Sequence, residues 1–122
     1  MIGRSFALLA VGAALLLAAC TSGSPASSGV SGCTPMTGAA AVPVSIEDFA
    51  FAPAAIQAKV GQVIGFTNQG FESHNATLDS GACGTATLTT GSTAGLVFTA
   101  AGTYPFHCTV HTQMTGTITI GG

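Results

Sequence analysis

Short runs of β-branched and aromatic residues, separated by turn residues, fill the chain from residue 42 onward. Residues 42–46 alternate weakly between apolar and polar side chains and residues 56–60 alternate clearly, which is the period of a half-buried strand. Similar runs are 63–68, 74–78, 86–89, 95–99, 103–108 and 116–120, and Phe49 and Phe51 share one face of an extended segment. No window has the apolar spacing of an amphipathic helix. About seven or eight short strands at this spacing predict an all-β sandwich or barrel.

The first twenty residues have a different pattern. Arg4 precedes an uninterrupted apolar run over residues 6–19, which is shorter than the roughly 20 residues that a transmembrane helix needs. The run therefore indicates a secretory signal. It ends in Leu17-Ala18-Ala19-Cys20, which resembles the signal of bacterial lipoproteins, in which such a cysteine is acylated and becomes the mature N-terminus. An ordinary secretory signal with a chance cysteine at its cleavage site is the alternative.

Residues 20–41 separate this signal from the strand-rich region, and residues 21–29 are nearly all Ser, Gly and Pro. Such a composition buries too little apolar surface to offset the entropy of ordering it. We therefore predict a signal peptide over 1–19, a flexible tether over 20–41 and one folded domain over 42–122. The protein is expected to be exported and anchored by a lipid at Cys20 to the extracytoplasmic face of the bacterial cell membrane.

Charge and motif content exclude several functions. Charged residues are 5% of the chain, the net charge is -2, and Arg4 and Lys59 are its two basic residues. A phosphate backbone would meet no basic patch, so nucleic-acid binding is excluded. No serine-nucleophile elbow, zinc-protease helix or phosphate-binding glycine loop is present. We expect a monomeric protein that is not an enzyme.

The four cysteines divide into two singletons and a pair. Cys20 belongs to the lipoprotein signal, and Cys108 lies in a loop rich in metal donors. Cys33 and Cys83 remain, and two cysteines left over in an exported protein can form a disulfide. We predict that bridge.

The segment from Tyr104 to Gly116 contains the residues best suited to bind a metal. Cys108, His111 and Met114 follow one another at intervals of three residues, so one tight loop offers a thiolate, an imidazole and a thioether. A mononuclear copper site of the trigonal kind needs one more imidazole. His74, which follows a loop and opens a strand, is the better candidate. His107 adjoins Cys108 on an extended strand, so its side chain is expected to point away from the site.

These residues resemble the plastocyanin and amicyanin branch of the cupredoxins. The resemblance covers roughly residues 42–120, and it depends on the pattern Tyr104-x-Phe106-His107-Cys108-x-x-His111-x-x-Met114 with His74-Asn75 upstream. It implies a Greek-key β-sandwich with one type 1 (blue) copper ion at one end, held by His74, Cys108, His111 and Met114. It also implies single-electron transfer between redox partner proteins, and a role for Asn75 in tying the His74 strand to the Cys108 loop.

Two alternatives stay open. Zinc can bind one thiolate with two or three imidazoles, although a structural zinc site seldom includes methionine. A copper-delivery lipoprotein could use the same donors with the metal as cargo. Delivery proteins more often expose Met-rich or His-rich surfaces, however, and this chain has three methionines and three histidines. Electron transfer is therefore the preferred interpretation.

Overall fold

The computed structural model describes residues 32–122. All the regular secondary-structure elements in that range are β-strands. The predicted all-β sandwich is confirmed, with nine strands in these residues rather than seven or eight. Within the same range, no helix has the length and hydropathy that crossing a bilayer requires. The strands are β1 (Cys33–Met36), β2 (Val42–Glu47), β3 (Ala50–Ala52), β4 (Ala55–Lys59), β5 (Val63–Asn68), β6 (Thr77–Leu78), β7 (Thr93–Phe98), β8 (Gly102–His107) and β9 (Thr115–Gly121).

Two mixed sheets form the layers of the sandwich. The first has the strand order β1-β7-β5-β2-β3, and the second has the order β4-β9-β8-β6. β2 pairs in parallel with β5 and β4 with β9, while the other pairs are antiparallel. β8 and β9 are therefore neighbours, and the loop that joins them lies at one end of the second sheet.

Side chains that alternate along the strands build the core between the sheets. Phe51 and Phe66 from the first sheet contact Phe106 from the second, with ring centroids 4.6 and 5.9 Å apart. All three rings are buried, and burying one such side chain stabilises the fold by roughly 1.5–3 kcal/mol. Phe106 lies two residues before Cys108, so this aromatic cluster also anchors the strand that leads into the metal-donor loop.

The edge strand of the first sheet, β1, lies in a part of the chain that was predicted to be flexible. Residues 33–36 fall within the predicted tether, yet they form β1 and pair with β7, where Cys33 lies opposite Phe98. The predicted disulfide is present and joins Cys33 to Cys83, which follows β6 of the other sheet. A run of four residues is too short to show a strand period of its own, so only its pairing with β7 reveals that it is a strand. Residues 1–31, with the predicted signal peptide, the lipidation site Cys20 and the start of the tether, lie outside the described residues.

The predicted strand over residues 86–89 does not form. Its one pairing is an isolated bridge between Leu88 and His74. The predicted strand over 74–78 is likewise reduced to the two residues of β6. Both runs are β-prone, but strand pairing also needs a partner in register.

Candidate metal centre

The loop between β8 and β9 brings Cys108, His111 and Met114 together. It is closed by the Cys108 N–H donating to Met114 C=O at 3.0 Å and by the Met114 N–H donating to His111 C=O at 2.9 Å. Cys108 and Met114 are buried, whereas His111 is half-buried. The loop therefore presents a thiol and a thioether from inside the protein and an imidazole at its surface.

His74 enters the site from the other side, on the segment between β5 and β6. Its N–H donates to Leu88 C=O at 3.1 Å and its C=O accepts from the Leu88 N–H at 2.7 Å. This two-bond bridge holds the His74 backbone, and the side chain is 0% exposed. A fully buried imidazole needs polar partners on its ring nitrogens.

Three donor atoms converge where these segments meet. His74 Nδ1 lies 3.2 Å from His111 Nδ1 and 4.0 Å from Cys108 Sγ, and one ligand atom from each of the three residues lies within 4.8 Å of the other two. Metal–ligand bonds are about 2.0 Å to nitrogen and about 2.3 Å to sulfur. Each of the two separations is smaller than the sum of the two bonds concerned, so one ion can contact these donors together.

The chemistry of the donor set fits copper. Two imidazoles and one thiolate with a methionine nearby are the donors of blue-copper sites, in which the thioether is a weak and distant axial ligand. A structural zinc site takes its four ligands from cysteine, histidine and carboxylates. Met114 is 1% exposed, and its backbone bonds to Cys108 and His111 place it in the same closed loop as these two donors.

Asn75 links the two segments that supply the donors. Its side-chain Nδ2 donates to Thr109 Oγ1 at 2.7 Å, while Oδ1 accepts from the Thr109 N–H and the Thr77 hydroxyl, each at 3.0 Å. The backbone N–H of Asn75 points at Cys108 Sγ, 3.5 Å away. Asn75 is therefore placed as the resemblance implied, beside the site and holding its two halves in register.

Asp48 is a partner of the site that no pattern in the sequence indicates. It lies in the two-residue turn between β2 and β3, where its Oδ1 is 3.0 Å from His74 Nε2. The N–H of Phe71 donates to Oδ2 at 2.9 Å, and the N–H of Glu72 donates to Oδ1 at 3.0 Å. These contacts lower the pKa of Asp48 to about 2, with the Phe71 N–H as the largest cause, followed by His74 and the Glu72 N–H. Twenty-six residues separate Asp48 from His74, so no local motif marks the pair.

His107 lies apart from the donors, on the opposite face of β8. Its Nδ1 is 2.6 Å from Asp79 Oδ1, and both side chains reach the surface. Cys108 and Phe106 are buried on either side of it. The alternation of side chains along β8 predicts that His107 points away from the metal donors, and the structure places it there.

Three exposed apolar side chains lie next to residues of the site or of its supports along the chain. Phe49, Phe71 and Val110 are exposed, and each adjoins a residue of the centre or of its supports. The Phe49 ring stands edge-on to His111, with centroids 5.2 Å apart. We call Phe49, Phe71 and Val110 the apolar rim.

Comparison with known proteins points to one family of copper proteins, in agreement with the fold and the donor set. Residues 7–120 match a family model described as a cupredoxin-like domain. An oxidized methionine-to-leucine variant of amicyanin is 27% identical, with a TM-score of 0.63, over 66% of this chain and 82% of that chain. An oxidized proline-to-glycine variant of amicyanin is 26% identical, with a TM-score of 0.67, over 75% of this chain and 100% of that chain. A reduced Cu(I) form of another amicyanin variant is 24% identical, with a TM-score of 0.65, over the same shares, and shares the fold. No curated protein sequence matches the chain significantly.

Proposed function

The chain belongs to the cupredoxin-like family, and on that premise we propose that it is a blue copper protein that carries single electrons between redox partners. The observation that carries the proposal is the convergence of His74, Cys108 and His111 within 4.8 Å, beside the buried Met114. Copper bound there would supply one-electron chemistry by alternating between two oxidation states. We propose no catalytic turnover of a substrate.

The protein's own contribution is to hold the donors in place before and during electron transfer. His74 is fixed through both backbone groups, and the Cys108 loop is closed by two backbone bonds and tied to Asn75. Ligands that are already positioned need not rearrange when the charge at the site changes, which keeps the reorganisation small. Burial of Cys108 and Met114 keeps water away from the sulfur donors.

Electrons would enter and leave through His111. It is the one half-buried residue of the three-donor cluster, and the Phe49 ring of the apolar rim stands edge-on to it. The chain has four acidic and two basic residues, so strong charge steering is not expected from this surface. We propose a redox partner protein that docks through apolar contact over His111.

The anchor is a separate proposal, supported by Arg4, the apolar run and the sequence before Cys20. A lipid on Cys20 would keep the domain at the extracytoplasmic face of the membrane. Full-length protein expressed in bacteria should partition into detergent, and Cys20→Ser should not be processed to that form. A wild-type protein with an unmodified N-terminus that stays in the aqueous phase would contradict the anchor without affecting the copper proposal.

Copper titration tests the metal function. One equivalent of copper(II) should give an intense blue or green absorption band, because a copper(II)–thiolate bond produces strong charge transfer, and the band should disappear on reduction. Cys108→Ser and His74→Ala should abolish the band. His107→Ala is the matched control, because its imidazole is paired with Asp79 outside the centre, and it should retain the band.

The same sample separates electron transfer from copper delivery. An electron carrier should go through repeated oxidation and reduction with its copper retained in the presence of a competing chelator. A delivery protein should instead lose copper to the chelator in its reduced form.

Loss of the band in His107→Ala with retention in His74→Ala would show that the imidazole ligand is wrongly assigned.

A further inference from the structure

The turn between β2 and β3 reaches into the metal centre from a part of the chain that contributes no ligand. We propose that Asp48 is a positioning residue, whose carboxylate fixes His74 in the tautomer that leaves Nδ1 free to bind metal. The inference rests on the proposed function, because it assigns His74 Nδ1 as a metal donor.

The first support is the direction of the contact. A carboxylate can only accept hydrogen bonds, and a neutral imidazole carries its proton on one nitrogen. With Asp48 Oδ1 at 3.0 Å from Nε2, the proton of His74 belongs on Nε2. Nδ1 then presents its lone pair toward His111 Nδ1 and Cys108 Sγ. Ligating histidines in metal sites are oriented in this way by acceptors on their other nitrogen.

The second support is the fixed position of the carboxylate. The N–H groups of Phe71 and Glu72 donate to its two oxygens. The loop can come this close because residue 70 is glycine, since a Cβ there would lie 2.8 Å from Asp48 Cγ and 2.9 Å from Asp48 N. The buried Asn68 holds the same loop by accepting from the Gly70 N–H and donating to Glu72 C=O. Asp48 is thus held by the loop that immediately precedes His74.

The third support is the backbone of the turn. Phe49, directly after Asp48, has a φ of 71°, a left-handed conformation that is a genuine outlier for a bulky side chain. Such conformations persist only where the surrounding structure holds them, and they cluster at functional sites. Here the conformation places the Phe49 ring beside His111 while Asp48 contacts His74, so one turn touches both histidines of the centre.

The two imidazoles are supported differently. His74 has a carboxylate on its distal nitrogen, whereas the one hydrogen-bond contact found for the His111 ring in residues 32–122 is with His74 Nδ1. His74 is fully buried and His111 is half-buried. Asp48 therefore makes His74 the fixed ligand of the pair and leaves His111 at the surface.

The test compares Asp48→Asn and Asp48→Ala with wild type, and Asp79→Asn is the matched control. Asp79 also contacts a histidine, at 2.6 Å, but that histidine lies outside the centre. Long-range proton–nitrogen NMR of the metal-free full chain at neutral pH reports which imidazole nitrogen carries the proton. We expect His74 to be protonated at Nε2 in wild type and in Asp79→Asn, and a population protonated at Nδ1 to appear in both Asp48 variants.

Copper(II) titration and redox potentiometry of the same variants give the second readout. We expect the Asp48 variants to lose about 10- to 100-fold in copper(II) affinity, as is typical when a residue supporting a metal ligand is removed. Loss of the negative acceptor should weaken copper(II) binding more than copper(I) binding and raise the reduction potential. A tenfold difference between the two losses corresponds to about 59 mV for one electron.

An unchanged His74 tautomer in both Asp48 variants, with amide spectra showing a folded domain, would overturn the inference whatever the affinities. Asp48→Asn covers the case in which Asp48→Ala does not fold, because its amide oxygen can still accept from one of the two loop N–H groups. A wild-type protein that binds no copper would contradict the proposed function. An Asp48-dependent tautomer in that same protein would still support the role of Asp48.

Discussion

Replacing Asn75 by alanine should weaken the fold and the metal centre together. The substitution removes three side-chain hydrogen bonds, at 2.7, 3.0 and 3.0 Å, and leaves the Thr109 N–H without its acceptor. A net value of about 0.5–1.5 kcal/mol for each of the three bonds gives a total loss of about 1.5–4.5 kcal/mol.

Unfolding in guanidinium chloride measures this loss. The chain has no tryptophan, so circular dichroism is the suitable probe. The measurement is made on copper-free protein, because bound metal adds its own stabilisation to the folded state. The midpoint should fall while the denaturant dependence stays unchanged, which identifies a stability effect.

Asn68→Ala is the matched control. Asn68 is also buried, and its side chain also makes three hydrogen bonds, to Glu72, Leu88 and Gly70. The two variants should lose similar free energy, but Asn75→Ala should shift the absorption band of the copper–thiolate bond more, because only Asn75 is bonded to the Cys108 loop, whereas Asn68 reaches the centre only through the loop before His74. An unfolding free energy within about 0.5 kcal/mol of wild type in Asn75→Ala, or equal band shifts in both variants, would refute this reasoning.

Three further predictions follow from the same contacts. Replacing Cys33 and Cys83 together by serine removes a crosslink that spans 50 residues and should cost about 4 kcal/mol in the chain-entropy model; denaturant unfolding measures this, and an unchanged midpoint would contradict it. Met114→Gln should keep a coloured site but change its reduction potential, because the axial ligand tunes the potential; loss of colour would show that Met114 is needed to hold the metal. The pKa of Asp48 is lowered from 3.8 to about 2, so its contribution to stability is complete above pH 4 and is lost as the pH falls toward 2. The stability difference between wild type and Asp48→Asn in copper-free protein should shrink over that interval, and a constant difference would argue against the contact.

Local patterns determined much of this protein from the sequence alone. The alternation of apolar and polar residues predicted the all-β sandwich, because strand periodicity reports which side chains face the core. The spacing of Cys108, His111 and Met114 placed three candidate donors in one loop. Alternation along β8 also predicted that His107 faces away from them. These inferences need only a few consecutive residues, and each agrees with where the structure places the side chains.

Tertiary structure decided what depends on residues distant in the chain. The cysteine count predicted the bond from Cys33 to Cys83, but the pairing of β1 with β7 is not indicated by the short sequence of β1. The run 86–89 looked like a strand but found only the Leu88 bridge to His74. Asp48 is one of four scattered acids in the sequence, and only the packing of the β2–β3 turn against the loop before His74 makes it a partner of that histidine. Hydrophobic period predicts which face of a strand is buried, whereas polar contacts between loops depend on how the strands associate, which is decided by the fold as a whole.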